Sequence, residues 1–347
     1  MDRMTWIHAN EELDEQRELI YISSADMEVN TATDAELVDN SWSMKISERE
    51  WEKNPIRVGH YVYAPGTEWG GPVTLIKHET STRSGTLQGP TWRGMLFQRR
   101  IEPPEGEAYL VYRNTDANEI LADLIDGLYG GLFAVDDTPA GVTVSAQFRY
   151  QTVANGASRA MRSAGLRMAL AYNNATKTVA VTSTEAGSGM DGVELSQDYG
   201  IQFTSTLGNL EYANHCLILG SGELTERTVI NLYRDSDGSY TTTRPAWLTE
   251  ELLRTVALDY PNAEDTEELM RSAAERLDEC GEGRSFEIDT QQAGITLELG
   301  DEIAIRDRMT GMTARAEVRR KILTIQEGRI KIQDGVTTIG IDPEEDE

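Results

Sequence analysis

From Leu19 to about Arg100 the chain alternates β-branched, aromatic and aliphatic residues with polar ones and breaks the runs with turn formers. The period of two is plain in Arg57-Val58-Gly59-His60-Tyr61-Val62-Tyr63, and Pro65-Gly66 and Gly70-Gly71-Pro72 punctuate it. Short strands at this spacing predict an antiparallel module of the small-barrel or sandwich type, closed by the arginines Arg93, Arg99 and Arg100. After Pro103-Pro104 the period lengthens. Ile120, Leu121, Leu124, Ile125 and Leu128 fall on one helical face, with Asn114, Thr115 or Asp116 available as caps. A strand over 143–150, a helix over 153–163 with Gly165 at its end, and a hairpin of 166–172 with 178–184 around Asn173-Asn174 complete a small α+β unit.

Residues 195–245 return to strand and hairpin text, with Cys216 to Leu219 as a buried run and Asp237-Gly238 as a tight turn. The stretch 247–280 predicts two helices. Leu248, Leu252, Leu253, Val256 and Leu258 line the first, Leu269, Met270, Ala273, Ala274 and Leu277 the second, and Tyr260-Pro261-Asn262 separates them. From Ser285 the text is strand again, with hairpin turns at Thr310-Gly311 and Glu327-Gly328, and it carries a second basic group at Arg315, Arg319, Arg320 and Lys321. The expected class is α+β and β-rich. The expected division is a β module at 1–110, an α+β insertion at 111–194, a β segment at 195–245 completing the first module, a helical segment at 246–284, a closing β module at 285–341 and a disordered acidic tail at 342–347.

Charge changes the picture more than composition does. The 347 residues hold 59 Asp and Glu against 32 Lys and Arg, a formal net charge of -27, so a phosphate backbone is repelled and specific nucleic-acid binding is not expected. The acidic N-terminus does not read as a signal peptide, and no run reaches the ~18 apolar residues of a membrane span. No membrane association or direct export is expected. With only Cys216 and Cys280, a secreted-type disulfide framework is excluded and at most one bridge is open.

Candidate chemistry is sparse. His8, His60, His78 and His215 are scattered without metal-ligand spacing, and no cofactor or metal is implied. Ser188 and Ser221 sit in Gly-Ser-Gly triplets that lack the five-residue nucleophile elbow and read as turns. Asp235-Ser236-Asp237-Gly238 opens like a calcium loop but has no closing glutamate and reads as a hairpin turn. No phosphate-binding glycine loop is present.

One passage is specific: Gly89-Pro-Thr-Trp-Arg-Gly-Met-Leu-Phe-Gln-Arg-Arg-Ile-Glu-Pro-Pro104. It is followed by the Ile120 to Leu128 helix, Arg149-Tyr150, Ser163-Ala164-Gly165-Leu166, and Leu299-Gly300-Asp301 leading through Thr310-Gly311 into Lys321-Ile322-Leu323-Thr324-Ile325. In that order and spacing the chain, over about residues 15 to 340, resembles the baseplate hub or tail-associated proteins of long non-contractile-tailed phages.

The resemblance implies two β-barrel-like hub domains with inserted α+β domains. It also implies a homotrimer, whose paired modules form a pseudo-sixfold ring between a sixfold tube and a threefold tip. The expected partners are the tail tube, distal tail proteins and tail fibre or tip proteins. The expected location is the virion tail, assembled in the host bacterial cytoplasm and passed by the genome on ejection. No catalytic residue carries over, and the chain is expected not to be an enzyme. Trp92, Arg93, Arg99, Arg100, Arg319, Arg320 and Lys321 are the expected subunit or tube contacts, with a core position the alternative for Trp92 and a solvated strand face the alternative for the basic residues. The rival readings are a tail-tip hydrolase of cell-wall glycan, requiring paired carboxylates, and a host-surface carbohydrate-binding adhesin with an aromatic platform from Trp42, Trp51 and Trp69.

Overall fold

A computed structural model describes residues 4–32, 35–187, 202–207, 211–222, 227–260, 266–281, 284–289, 297–307, 309 and 313–342. Contacts divide the chain into two compact units, one of Met1–Phe203 with Glu287–Glu347 and one of Thr204–Phe286. The expected turn at Thr310-Gly311, the Ser188 triplet and the last residues of the acidic tail lie outside the described residues.

The first unit is built on one large sheet. Strand Ile22–Asn30 buries Ala25, Met27 and Val29, and strand Ser41–Ser47 buries Trp42, Met44 and Ile46, so every second side chain enters the core as the pleat requires. These two strands pair antiparallel, and Ser84–Pro90 and then Leu75–Glu79 extend the sheet on one side. On the other side, Thr313–Gln326 pairs antiparallel with Ile22–Asn30, from Arg320 opposite Asn30 to Gln326 opposite Ser24. The opening and closing β segments, expected as separate modules, thus share one sheet. Its strand order is an open path, and no closed barrel is formed among the described residues.

The long hairpin Thr313–Gln326 with Arg329–Asp342 turns at Glu327-Gly328, where both residues take the left-handed φ (50° and 75°). Its ladder shifts register between Val318 and Arg320. Ala316 and Val318 are buried before the shift, and Lys321, Leu323 and Ile325 after it, so the bulge aims Lys321 inward.

Among the described residues five α-helices are numbered in chain order: α1 Glu48–Lys53, α2 Trp92–Phe97, α3 Ala117–Ile125, α4 Val153–Arg162 and α5 Thr266–Glu279. In α3 the Asp116 carboxylate accepts the Asn118 backbone N–H at 2.9 Å, and Ile120, Leu121, Leu124 and Ile125 are buried as their spacing predicts. In α4 Thr152 is the cap, and the face of Ala154, Gly156, Ala157 and Ala160 packs so tightly that a Cβ at Gly156 would stand 2.5 Å from Ile101 Cδ1. The hairpin Leu166–Asn173 with Thr178–Glu185 forms as expected and is joined in parallel by Phe133–Val135. The strands Leu110–Asp116 and Thr143–Phe148 make a separate antiparallel pair.

The second unit corrects one expectation. No helix forms over 247–258: turns lead into strand Thr255–Asp259, which pairs in parallel with His215–Leu219. The leucine spacing there also fits a half-buried strand. The β-branched Thr255-Val256 favours that strand, while Trp247 and Leu252 remain exposed instead of forming a buried helical stripe. Residues 195–245 were expected to complete the first module, yet all of those from Thr204 onward fall in this second unit. The second expected helix exists as α5, packing Leu269, Ala273 and Leu277 on Ala213, Cys216, Ile218 and Leu232. Cys216 and Cys280 are both free and buried, and burial pushes the Cys216 thiol up to about 11.

A small sheet of Glu15–Glu18, Ile7–Ala9, Tyr61–Tyr63 and Gly70–Pro72 brings together two of the scattered histidines. His8 Nε2 lies 2.8 Å from His60 Nδ1, the rings stack at 5.1 Å, and the Glu11 carboxylate is 3.5 Å from His60 Nε2. Burial, then the charges of His60 and Arg17, lower His8 to about 4; burial also lowers His60, with Glu11 opposing and Arg57 reinforcing the shift. An unfolded histidine takes its proton near pH 6.5, whereas folded His8 refuses it until about pH 4. Its contribution is therefore complete above pH 6.5 and is lost as pH falls toward 4, by up to roughly 3 kcal/mol. Urea denaturation at pH 7, 6 and 5 should show stability falling steadily, with a shallower fall in His8→Gln; identical slopes would exclude this origin.

Candidate functional site

The specific passage is the place where the main sheet turns into α2. Trp42 Nε1 donates to the Pro90 carbonyl at 3.0 Å. A Cβ on Gly89 would stand 1.8 Å from the Pro72 oxygen, and one on Gly71 2.0 Å from the Pro90 oxygen, so the two backbones cross where only glycine fits. The Thr91 hydroxyl caps α2 by accepting the Gly94 N–H at 3.1 Å, which is why the strand text ends in a helix here. The Asn40 carbonyl accepts both the Thr91 N–H (2.9 Å) and its hydroxyl (3.0 Å), and a Cβ on Gly94 would meet that same oxygen at 2.1 Å.

Trp92 and Arg93 then turn inward. Trp92 is fully buried, stacked on Tyr172 (centroids 5.3 Å) and Tyr61 (5.8 Å). Arg93 is 1% exposed. Its Nε and Nη2 donate to the two Glu68 carboxylate oxygens at 2.5 and 3.1 Å, and Nη2 also donates to the Met168 carbonyl at 3.0 Å. This fork joins α2 to the Glu68 loop and to the hairpin beyond α4.

The expected contact residues separate into two groups. Trp92 and Arg93 are engaged inside the chain and present nothing to a partner. In the closing strand, Arg319 pairs with Glu317 at 3.0 Å, Arg320 with Glu28 at 2.7 Å, and Lys321 Nζ bonds the Leu297 carbonyl with Asp334 at 3.8 Å. Buried Glu317 also binds Arg162 of α4 at 2.7 Å. Arg99 and Arg100 remain exposed: the Arg99 guanidinium lies 4.6 Å over the Tyr129 ring, and Arg100 Nη1 donates to the Tyr150 carbonyl at 3.1 Å. Neither makes an ion pair among the described residues.

Beside them lies a surface that the sequence reading did not assemble. The pair Leu110–Asp116 and Thr143–Phe148 buries Tyr112, Val144 and Phe148 on one face and exposes Val111, Arg113, Ser145 and Gln147 on the other. Arg149 continues the exposed face, its guanidinium 5.6 Å from the centroids of both Tyr109 and Tyr150. The alternation Val111-Tyr112-Arg113 carried that signal. Elsewhere in the first unit, an open groove of about 650 Å³ on the main sheet is lined by Asp26, Glu36, Leu37, Val38, Leu75 and Gln98, among others.

The proposed aromatic platform is not assembled, because Trp42 and Trp69 are buried and only Trp51 is partly accessible. Ser221 lies in a turn, its carbonyl accepting the Thr228 N–H at 2.8 Å. Asp235 closes a hairpin turn by donating its N–H to the Ser239 carbonyl at 2.8 Å. His215 stacks on Tyr233 at 4.4 Å and bonds Thr255 and Asn231.

No protein-family model matches this sequence, and no curated protein matches it. Solved structures do. The 43 kDa tail protein of prophage MuSo2 from Shewanella oneidensis is 12% identical, with 96% of this chain and 98% of that one covered and a TM-score of 0.50. The tail protein from Neisseria meningitidis MC58 is 13% identical, with 97% of each chain covered and a TM-score of 0.50. The chain therefore has the fold of phage-type tail proteins. More particularly, it has the fold of prophage tail proteins of its own length, matched nearly end to end.

Removing one member of a buried ion pair typically costs ~3–5 kcal/mol because the other charge stays behind unpaired. Arg93→Ala should lower stability by about that amount, and Arg320→Ala, which breaks an exposed pair, by about 1 kcal/mol or less. Chemical denaturation measures both; equal small losses would show that the junction does not clamp the fold.

Proposed function

We propose that this chain is a structural subunit of a phage tail tip, a non-enzymatic hub of three copies in a ring that joins the tail tube to the tip and lets DNA pass. The observation that carries this reading is the end-to-end similarity to two prophage tail proteins, which leaves nearly no part of this chain outside the shared fold. The shared fold is combined with interior chemistry spent on structure: the motif's arginine and tryptophan hold the chain together, and Arg319 and Arg320 of the closing strand are paired internally. The net charge of -27 suits a passage that must not retain DNA. Distal tail proteins, tube proteins and fibre or tip proteins are its partners in this reading, and the virion tail is its location.

Light scattering of the purified protein across a concentration series tests it. The expected mass approaches three chains as concentration rises. A single chain at every concentration contradicts a self-assembling ring.

A further inference from the structure

Two unpartnered surfaces of the first unit are complementary. One carries the chemistry typical of interface anchors: Tyr109 is 42% and Tyr150 60% exposed, with the Arg149 guanidinium against both rings and Arg100 and Arg113 exposed on the same strand pair and its flank. In a chain carrying -27, none of these three arginines has a carboxylate within ion-pair distance among the described residues. Tyr150 is also held at a left-handed φ of 53°, a conformation a tyrosine adopts at a cost, by its N–H bond to the Ile101 carbonyl at 2.9 Å and the Arg100 bond to its own carbonyl. The strain holds the Tyr150 ring in solvent, with the Arg149 guanidinium beside it.

The other surface is the groove of about 650 Å³ on the main sheet. It exposes the aliphatic side chains of Leu37, Val38 and Leu75 beside the carboxylates of Asp26 and Glu36, which likewise have no ion-pair partner among the described residues. Exposed aliphatics rimmed by charge mark a contact surface. Aliphatic walls fit tyrosine rings, and the two carboxylates fit guanidinium groups.

We propose that the Arg100, Arg113, Arg149, Tyr109 and Tyr150 face of one copy seats in the Asp26, Glu36, Leu37, Val38 and Leu75 groove of a second copy. Because the two surfaces differ, the contact is heterologous, and repetition of a heterologous contact closes into a ring when its rotation divides a full turn. This inference rests on the ring reading and specifies which surfaces make it. A nucleic-acid phosphate would also suit arginines, but the chain's net charge opposes that occupant and the groove's carboxylates would have no part in it.

Charge exchange tests the contact. Arg100→Glu with Arg149→Glu spoils the arginine face only, and Asp26→Arg with Glu36→Arg spoils the groove only; all four side chains are outside the core, so both variants should keep the wild-type circular dichroism and melting midpoint. Light scattering should show wild type associating, each variant alone weakened at least tenfold, and an equimolar mixture of the two associating again. In the mixture the intact groove of one variant meets the intact arginine face of the other, and the exchanged charges of the two altered surfaces are complementary as well. Association of the variants as strong as wild type overturns these surfaces while leaving the ring intact. A wild type that is monomeric throughout overturns both readings. A mixture that stays monomeric overturns the pairing. Binding of a fluorescent 20-base-pair duplex to wild type, lost in the arginine variant without any change in mass, assigns the face to nucleic acid and also overturns it.

Discussion

The first unit depends on keeping one arginine charged and dry. Arg93 sits where three pieces of chain distant in sequence converge, and the Glu68 carboxylate and Met168 carbonyl are what make its burial tolerable. A buried ion pair of this kind is weak evidence of extra stability, because desolvation offsets much of the attraction; its strength lies in what it forbids. If α2, the Glu68 loop or the hairpin Leu166–Asn173 were displaced, a full charge would lie unpaired in the core. Around it Gly71, Gly89 and Gly94 allow backbones to touch, and Trp92 stacks on the same hairpin through Tyr172. The passage that looked most like an interface in the sequence is an internal clamp.

How much of this was legible follows from how local each signal is. The helices α3 and α4 and the hairpin after them were readable because cap, periodicity and turn residue lie within a dozen positions of one another, as with Asp116 and Gly165. The shared sheet was not, because Arg320 opposite Asn30 is a pairing across nearly the whole chain and leaves no local trace. The stretch 247–258 was misread for the same reason: its strand is decided by a parallel neighbour at His215–Leu219, not by its own leucines. The Trp-Arg-Gly phrase was recognisable as specific, yet whether Arg93 faced solvent or core depended on Glu68 and Met168.

Of the residues first assigned to contacts, Arg99 and Arg100 are the ones left facing outward without an ion pair among the described residues, and they border an arginine-tyrosine face whose other members lie on and beside the strand pair that flanks α3. A rigid interior with unpaired surface charge is the division of labour that the proposed subunit role calls for. The fold is shared with the Shewanella and Neisseria tail proteins, and in the proposed role a net charge of -27 would reduce adhesion to DNA.

Electron cryo-microscopy of the isolated protein at concentrations where it associates tests the central claim most directly. A closed ring of three copies is expected, in which the main sheet of each lies at a subunit boundary, with density joining the Arg149 face to the Leu37 groove of its neighbour. Single chains, or an open filament built through other surfaces, would contradict it.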